Sequence, residues 1–557
     1  MKKIKILHCS ETSHAASGFG IYTKELMNRL VENDRLKLAE QSCYTSVGDS
    51  RHIDSKWRIY PNAIDNNHPL KEQYASNPAN KYGEWRFERI LVDFKPDIVF
   101  DIRDPWMLKH ETKSPLRPFF HHCIMPTVDS APQQESWIEM FRDADAVFTY
   151  ADWAIKVLDD QSNNQIATMQ AAYPGVDLDV FKPLNKSELK NRLGIPQDSF
   201  IVGTTMRNQR RKHFPDLCEA IKIFYNKYKD TEIGKKTYFY MHTSYPDVGW
   251  DLPELLRDNG IANKVFFTYI CRYSKTPMAL LFEGAKTYSP FSNALSATLP
   301  SVGFGLDRNQ LAAVYNLFDL YVQYASCEGF GMPQAEAAAC GVPVAAIDYS
   351  AMSDVVKITD GIPLKPKKMF LEWETKAQRA YPDNNHTADA IYKYLSRDQE
   401  YKDTKSRKAR KAAETYFNWD RTAKIWSDYF ENVQLTGLQG KWDSPPIINL
   451  NPLPTEIPQN LSNVSNTAFV DWLCREVARE PDLFFKLEGL EALKKLNWAI
   501  VQHGIEMKPF TRQDLFKDFT IKGNNKLTCE KARLGMFNIQ SEDYIQFANL
   551  TDPEGTL

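Results

Sequence analysis

At 557 residues the chain is too long for one hydrophobic core and is expected to divide into about three domains. A hydrophobic share of 43% with 25% charged residues excludes an intrinsically disordered chain, and a formal net charge of -2 excludes a global field drawing it to nucleic acid or membrane. Its nine cysteines are scattered and never form a CxxC pair, which argues against a disulfide framework or a zinc site.

In chain order, IKILHC (4–9) reads as a buried strand, since its apolar run is too short for a signal peptide. A glycine-containing loop follows, then a helix over 22–33. Further strands are expected at 96–102 and 145–151, and strand–helix alternation of this kind implies parallel βαβ units in a doubly wound sheet. YPGVDLDVFKP (173–183) breaks the pattern with two prolines and a glycine, as a linker does. A second alternating set runs through 199–206, 235–243, 263–269, 317–326 and 342–350, so two Rossmann-like halves stand in series. Residues 387–417 read as two charged helices and 419–433 as an amphipathic one. The expected domains are therefore 1–190, 191–415, a helix at 416–434 crossing back to the N-terminal domain, a Pro/Asn-rich linker at 435–465, and an appended mainly helical domain at 466–557. There is no stretch of about 18 apolar residues to span a membrane.

The segment richest in chemistry is SCEGFGMPQAEAAACGVPV, 326–344. A strand ends at Ser326, Pro333 stands at the first helical position, and Gly341 falls just past the last. The short helix then points its N-terminus at the loop Cys327–Met332. There the amides of Gly329, Phe330 and Gly331 form a site for a diphosphate. Glu328 leads the loop and Glu336 lies within the helix; a carboxylate accepts two hydroxyl hydrogen bonds at once, which suits sugar and ribose diols.

Glu328-Gly-Phe-Gly-Met-Pro-Gln-Ala-Glu336 with Ala-Cys-Gly-Val-Pro-Val after it resembles the E-x7-E signature of glycosyltransferase family 4, a retaining family with the GT-B fold. The resemblance implies two Rossmann-like domains facing a cleft, to which the helical patterns after residue 466 add a C-terminal helical extension. It assigns Glu328 to the donor sugar, Glu336 to the ribose, and the amides of Phe330 and Gly331 to the sugar and phosphates. It extends over most of 1–433. PGVDLDVFKP is similar to the family's interdomain segment, and VGTTMRNQRRKHFPDL to the segment whose arginine and lysine clamp the donor diphosphate, here Arg207 and Lys212. The chain departs from the family in placing Thr204 directly after Gly203, where an arginine is more usual. HAASGFGIYTKEL (14–26) resembles the family's first glycine-rich loop, with Gly18 and Gly20 near phosphate or acceptor. In HHCIMPTVDS, His122 and Asp129 occupy the region that faces the donor sugar in this family.

The D-x-D matches at Asp177/Asp179 and Asp143/Asp145 are read as incidental: the first lies in the interdomain segment, the second ends a helix. The resemblance implies a metal-independent reaction with no cofactor beyond a nucleotide-diphosphate sugar, in which the departing phosphate takes the acceptor proton and no protein nucleophile is needed. The acceptor has two readings. Residues 508–533 carry seven Lys/Arg against three Asp/Glu, with Phe510, Phe516 and Phe519 between them, a combination suited to a nucleic-acid strand. The whole also resembles bacteriophage glycosyltransferases, some of which modify hydroxymethylated pyrimidines in DNA. The other reading is a cell-surface glycan or lipid-linked acceptor. A different class, a non-catalytic GT-B binding or assembly module, would be marked by loss of Glu328, Glu336 or the basic clamp, all of which are present. The expected compartment is a reducing cytoplasm, the host's for a phage protein.

Overall fold

The computed structural model describes residues 3–46, 49–52, 55–64, 71–281, 297–301, 303–435, 438, 442, 473–474, 478, 480, 483 and 490–502. The linker expected at 435–465, most of the appended domain at 466–557 and the basic tail at 508–533 lie outside the described residues, apart from a helix Leu490–Gln502 and isolated positions.

The chain forms two compact units. One comprises Met1–Pro126, Asp143–Asp145 and Ser427–Leu557; the other comprises Thr127–Arg142 and Ala146–Trp426. The units change over at Pro126 and again at Trp426, within the helix Trp419–Asn432.

In the first unit, β1 (Ile4–Glu11), β2 (Leu36–Ser46), β3 (Arg58–Ala63), β4 (Ile98–Asp101) and β5 (His121–Ile124) pair in the order β3-β2-β1-β4-β5, every pair parallel. The strand β2 was not legible as one, because LKLAEQSCYTS lacks an apolar run. It is nonetheless interior, and its buried Glu40 is satisfied by the Ser13 N–H (3.0 Å) and the Trp57 indole (2.7 Å). The first helix spans Gly18–Leu30, four residues earlier than expected, because Ser17 caps it by accepting from the Gly20 N–H (3.1 Å).

The second unit contains the parallel pair β6 (Ala146–Thr149) and β7 (Thr168–Ala171). Its main sheet is built from β8 (Phe200–Thr205), β9 (Thr237–His242), β10 (Val265–Cys271), β11 (Pro277–Leu281), β12 (Ala297–Thr298), β13 (Leu320–Gln323), β14 (Val344–Ile347) and β15 (Ile362–Leu364). The order is β11-β10-β9-β8-β13-β14-β15, parallel except that β11 and β12 run antiparallel to β10. An antiparallel hairpin, β16 (Pro366–Glu372) and β17 (Ala377–Pro382), follows. The two charged helices are Asn384–Leu395 and Gln399–Tyr416, each capped by an aspartate, Asp383 and Asp398.

Both sheets are doubly wound. In the first unit the strand order reverses beside β1, and in the second between β8 and β13. Ligands of open α/β sheets bind where the order reverses, outside the carboxyl ends of the strands. In the second unit those ends lead to Arg207–Lys212 after β8 and to Glu328 after β13. Among the described residues no helix is long and apolar enough to cross a membrane.

Candidate active site

Two loops run side by side beyond β8 and β13. The His213 N–H donates to the Tyr324 carbonyl and the Ser326 N–H to the Arg211 carbonyl, both at 2.9 Å. This pairing carries the basic run after β8 onto the glutamate after β13. Glu328 is buried; its Oε1 accepts from the Lys212 ammonium and from Gln323 Nε2 (2.5 Å), and its Oε2 from Arg211 Nη1 (2.7 Å). Two donors saturate Oε1, whereas Oε2 keeps a lone-pair direction for a further hydroxyl. Gln323 is itself oriented by the Tyr321 hydroxyl, which donates to its Oε1 (2.5 Å). Behind the loop, the Glu328 N–H donates to Ser350 Oγ (3.0 Å). Ser350 holds φ 56°, ψ −155°, a region otherwise left to glycine, and such strain persists only where the surroundings enforce it.

Lys212 is only 7% exposed at its side chain. Burial pulls its ammonium well below the ordinary lysine range and Arg211 adds to the shift, while Cys327 and Asp129 oppose it. The carboxylate in contact with it favours the charged form.

The helix after the loop runs Met332–Ala339, with Pro333 in its first turn and Gly341 at φ 73° beyond its end. Gly331 caps it at φ 88°, where a side chain would be strained, and an added Cβ would lie 2.2 Å from Gln334 Nε2. No side chain caps this helix, and among the described residues the N–H groups of Gly329, Phe330 and Gly331 donate to no protein acceptor. Unsatisfied amides at a helix N-terminus favour an anion. The Phe330 side chain packs away from solvent against Tyr173 and Phe417 (centroids 6.0 and 5.4 Å), so only its backbone faces the loop. Glu336 Oε2 accepts from the Tyr315 hydroxyl (2.6 Å), which in turn accepts from Thr205 Oγ1 (2.7 Å). Burial raises the Glu336 carboxyl above its ordinary range, and the Tyr315 hydrogen bond and Arg308 work against that rise.

The remaining expected residues fall in several places. Arg207 is held by Asp247 in a two-point contact, Nε to Oδ2 at 2.9 Å and Nη2 to Oδ1 at 3.0 Å; it is 47% exposed while Asp247 is 3% exposed. Asp247 is thereby kept well below the usual carboxylate range, and its Oδ2 also accepts from Ser244. Asp129 lies against the segment that leads into the site: Oδ1 accepts from Arg379 Nη1 (2.9 Å) and Oδ2 from the Cys327 thiol (3.2 Å). Burial and Asp129 push that thiol up to about 12. In the first unit, Gly20 lies where a Cβ would meet the Ala15 and Thr12 carbonyls at 2.5 and 2.8 Å, whereas the same position at Gly18 is open.

His122 lies in the interior of the first unit. Its side chain is 0% exposed, with Nε2 2.9 Å from Glu111 Oε2. It joins a buried network in which Arg103 pairs with both Asp101 and Glu111. Burial and then Arg117 lower its pKa to about 3. A neutral, enclosed imidazole in this place supports the core of the first unit and faces no solvent. Cys9, Asp101 and Glu111 also lie close enough together to suggest a metal, but Arg103 already compensates the two carboxylates. Of the D-x-D pairs, Asp177 accepts the Asp179 and Val180 N–H groups and Asp145 binds Arg117 (2.8 Å), both roles in local structure.

Sequence reasoning missed Arg211, Gln323, Ser350, Tyr315, Asp247 and Arg379. Only the position of Gln323 at the end of β13 carried a signal, since strand ends at a reversal of order line the site.

Residues 294–398, the stretch that contains this loop and helix, match the family described as Glycosyl transferases group 1. D-inositol 3-phosphate glycosyltransferase of Mycolicibacterium paratuberculosis is 27% identical over 279 residues, which is 49% of this chain and 51% of that protein. The chain thus spans about half the length of the curated relative it matches. Among solved structures, sucrose-phosphate synthase from Thermosynechococcus elongatus superposes with a TM-score of 0.56 at 17% identity, over 77% of this chain and 98% of that one. A glycosyltransferase from Rickettsia africae gives 0.54 at 13% identity, over 79% and 100%. Anabaena HepE in complex with UDP and glucose gives 0.53 at 13%, over 77% and 100%. These likenesses establish the fold class: two Rossmann-like domains of the GT-B type.

Proposed function

We propose that the chain is a glycosyltransferase that moves a sugar from a nucleotide-diphosphate sugar to an acceptor hydroxyl, with retention and without a metal. One observation carries this reading. Glu328 and three unsatisfied amides, inside the stretch matching the glycosyltransferase family, converge with Arg211 and Lys212 from the loop after β8, where the second sheet reverses its strand order. Glu328 Oε2 accepts a hydroxyl of the donor sugar and Glu336 a ribose hydroxyl. The amides of Gly329, Phe330 and Gly331, with Arg207 and Lys212, meet the charge that grows on the leaving diphosphate. Asp129 steadies the entry to the loop through Cys327 and Arg379. Gly20 lets the first glycine-rich loop close tightly, and Gly18 leaves space above it.

The acceptor is a hydroxyl of a polyol, glycan or hydroxymethylated base. The tail that suggested DNA lies outside the described residues, so that acceptor rests on sequence alone. The test is nucleotide release from UDP-, GDP- and ADP-sugars, beginning with UDP-glucose, which is found in complex with HepE. An inositol phosphate, a lipid-linked glycan and hydroxymethylated DNA are then added in turn. Glu328→Gln is expected to slow release by about 10²-fold or more, chelation to leave it unchanged, and the product anomer to keep the donor's configuration. No release from any donor would instead favour a non-catalytic binding module.

A further inference from the structure

The hairpin β16–β17 presents an apolar face that nothing in the site uses. Residues alternate across a strand, so one side of β16 carries Phe370 and Glu372 and the other Met369 and Leu371. The first side is the inward one: Phe370 packs on Tyr381 (centroids 4.8 Å) and Glu372 pairs with Arg379 (2.7 Å). The other side is open, with Met369 40% and Leu371 50% exposed, and Trp373 at the turn 73% exposed. Beside them are the exposed Lys367, which precedes them on the strand, and Lys376, which lies over the Trp373 ring, against one exposed acid, Glu374, while Lys368 lies on the other side over Tyr381. The hairpin is firmly held. The Gln378 N–H donates to Ala131 O (2.8 Å), the Tyr349 hydroxyl to Gln378 O (2.6 Å), and the Ala380 N–H to Ser326 O (3.0 Å), two residues before Glu328.

We propose that this face docks the protein on an anionic phospholipid surface, with Trp373, Leu371 and Met369 entering the interface and the lysines meeting headgroup charge. An indole settles at the headgroup level, aliphatic side chains below it, and lysines follow anionic lipid. Nucleic acid suits the face less well, because only Trp373 offers a flat ring for base stacking and Met369 and Leu371 offer none. Docking here brings the Glu328 loop to a membrane surface, where a lipid-borne acceptor hydroxyl is presented. The inference stands independently of the glycosyltransferase reading.

The test sediments the full chain with phosphatidylcholine vesicles, with and without phosphatidylglycerol. Binding is expected only to the anionic vesicles, weakening with salt. It should fall about tenfold in Leu371→Ser/Trp373→Ser and comparably in Lys367→Gln/Lys376→Gln. Both double variants should keep the wild-type melting temperature and donor hydrolysis, since neither touches the donor loop. The proposal is overturned if the chain fails to sediment with either vesicle, or if both variants bind as the wild type does. It is equally overturned if the same substitutions abolish binding to DNA or self-association while vesicle binding persists.

Discussion

The contact between Lys212 and Glu328 can be tested as an interaction energy. At about 3 Å and an effective dielectric of about 20, two unit charges attract by about 5 kcal/mol, from which desolvation of the buried ammonium must be subtracted. Gln323 and Arg211 also bind the carboxylate, so each single change leaves it partly satisfied. A coupling of about 2–3 kcal/mol is therefore expected between Lys212→Met and Glu328→Gln. The measurement is a urea titration followed by tryptophan fluorescence on the wild type, both single variants and the double. Each single change should destabilise by about 3 kcal/mol, because each leaves a buried group without its partner, and the double should cost clearly less than their sum. Effects that add within about 0.5 kcal/mol would refute the reasoning. They would show that Lys212 and Glu328 gain nothing from one another beyond what Gln323 and Arg211 already supply.

Three other outcomes are expected. Arg207→Ala should alter stability by no more than about 1 kcal/mol, since its pair with Asp247 is exposed on one side, yet weaken UDP binding by tenfold or more in calorimetry; a lower melting temperature with unchanged affinity would reduce Arg207 to a tie for Asp247. Gly331→Ala should cost about 1–2 kcal/mol from its left-handed backbone alone and raise the donor KM, read by thermal melts and steady-state kinetics. His122 has a folded pKa of about 3 against an ordinary 6.5. The unfolded chain therefore binds a proton that the folded chain refuses, and stability falls by about 1.4 kcal/mol per pH unit as pH drops through that window. His122→Gln should lessen the slope by one proton's share, although His8, depressed in the same direction, keeps contributing; parallel curves for the two proteins would count against the buried, neutral assignment.

The strand–loop–helix around Glu328 was legible because its signals are local. Glycines at 329, 331 and 341 and a proline at 333 punctuate the chain wherever they stand. Even so the strand ends at Gln323 rather than Ser326, because the chain leaves the sheet to run beside Arg211–His213. The hairpin β16–β17 and the strand β2 escaped notice for a related reason. Lysines and glutamates on exposed or paired faces obscure the period-two pattern.

The amino-acid sequence by itself therefore determined the two alternating strand–helix sets, the Glu328 loop and its short helix, each set by residues within a few positions of one another. Only the tertiary structure decided which groups meet. Lys212 and Arg211 reach Glu328 across more than a hundred residues of chain, because β8 and β13 are neighbours where the sheet reverses its order. His122 became a buried support for the same kind of reason. Whether an imidazole faces solvent depends on what packs over its strand, and Glu111 and Arg103 arrive there from other elements.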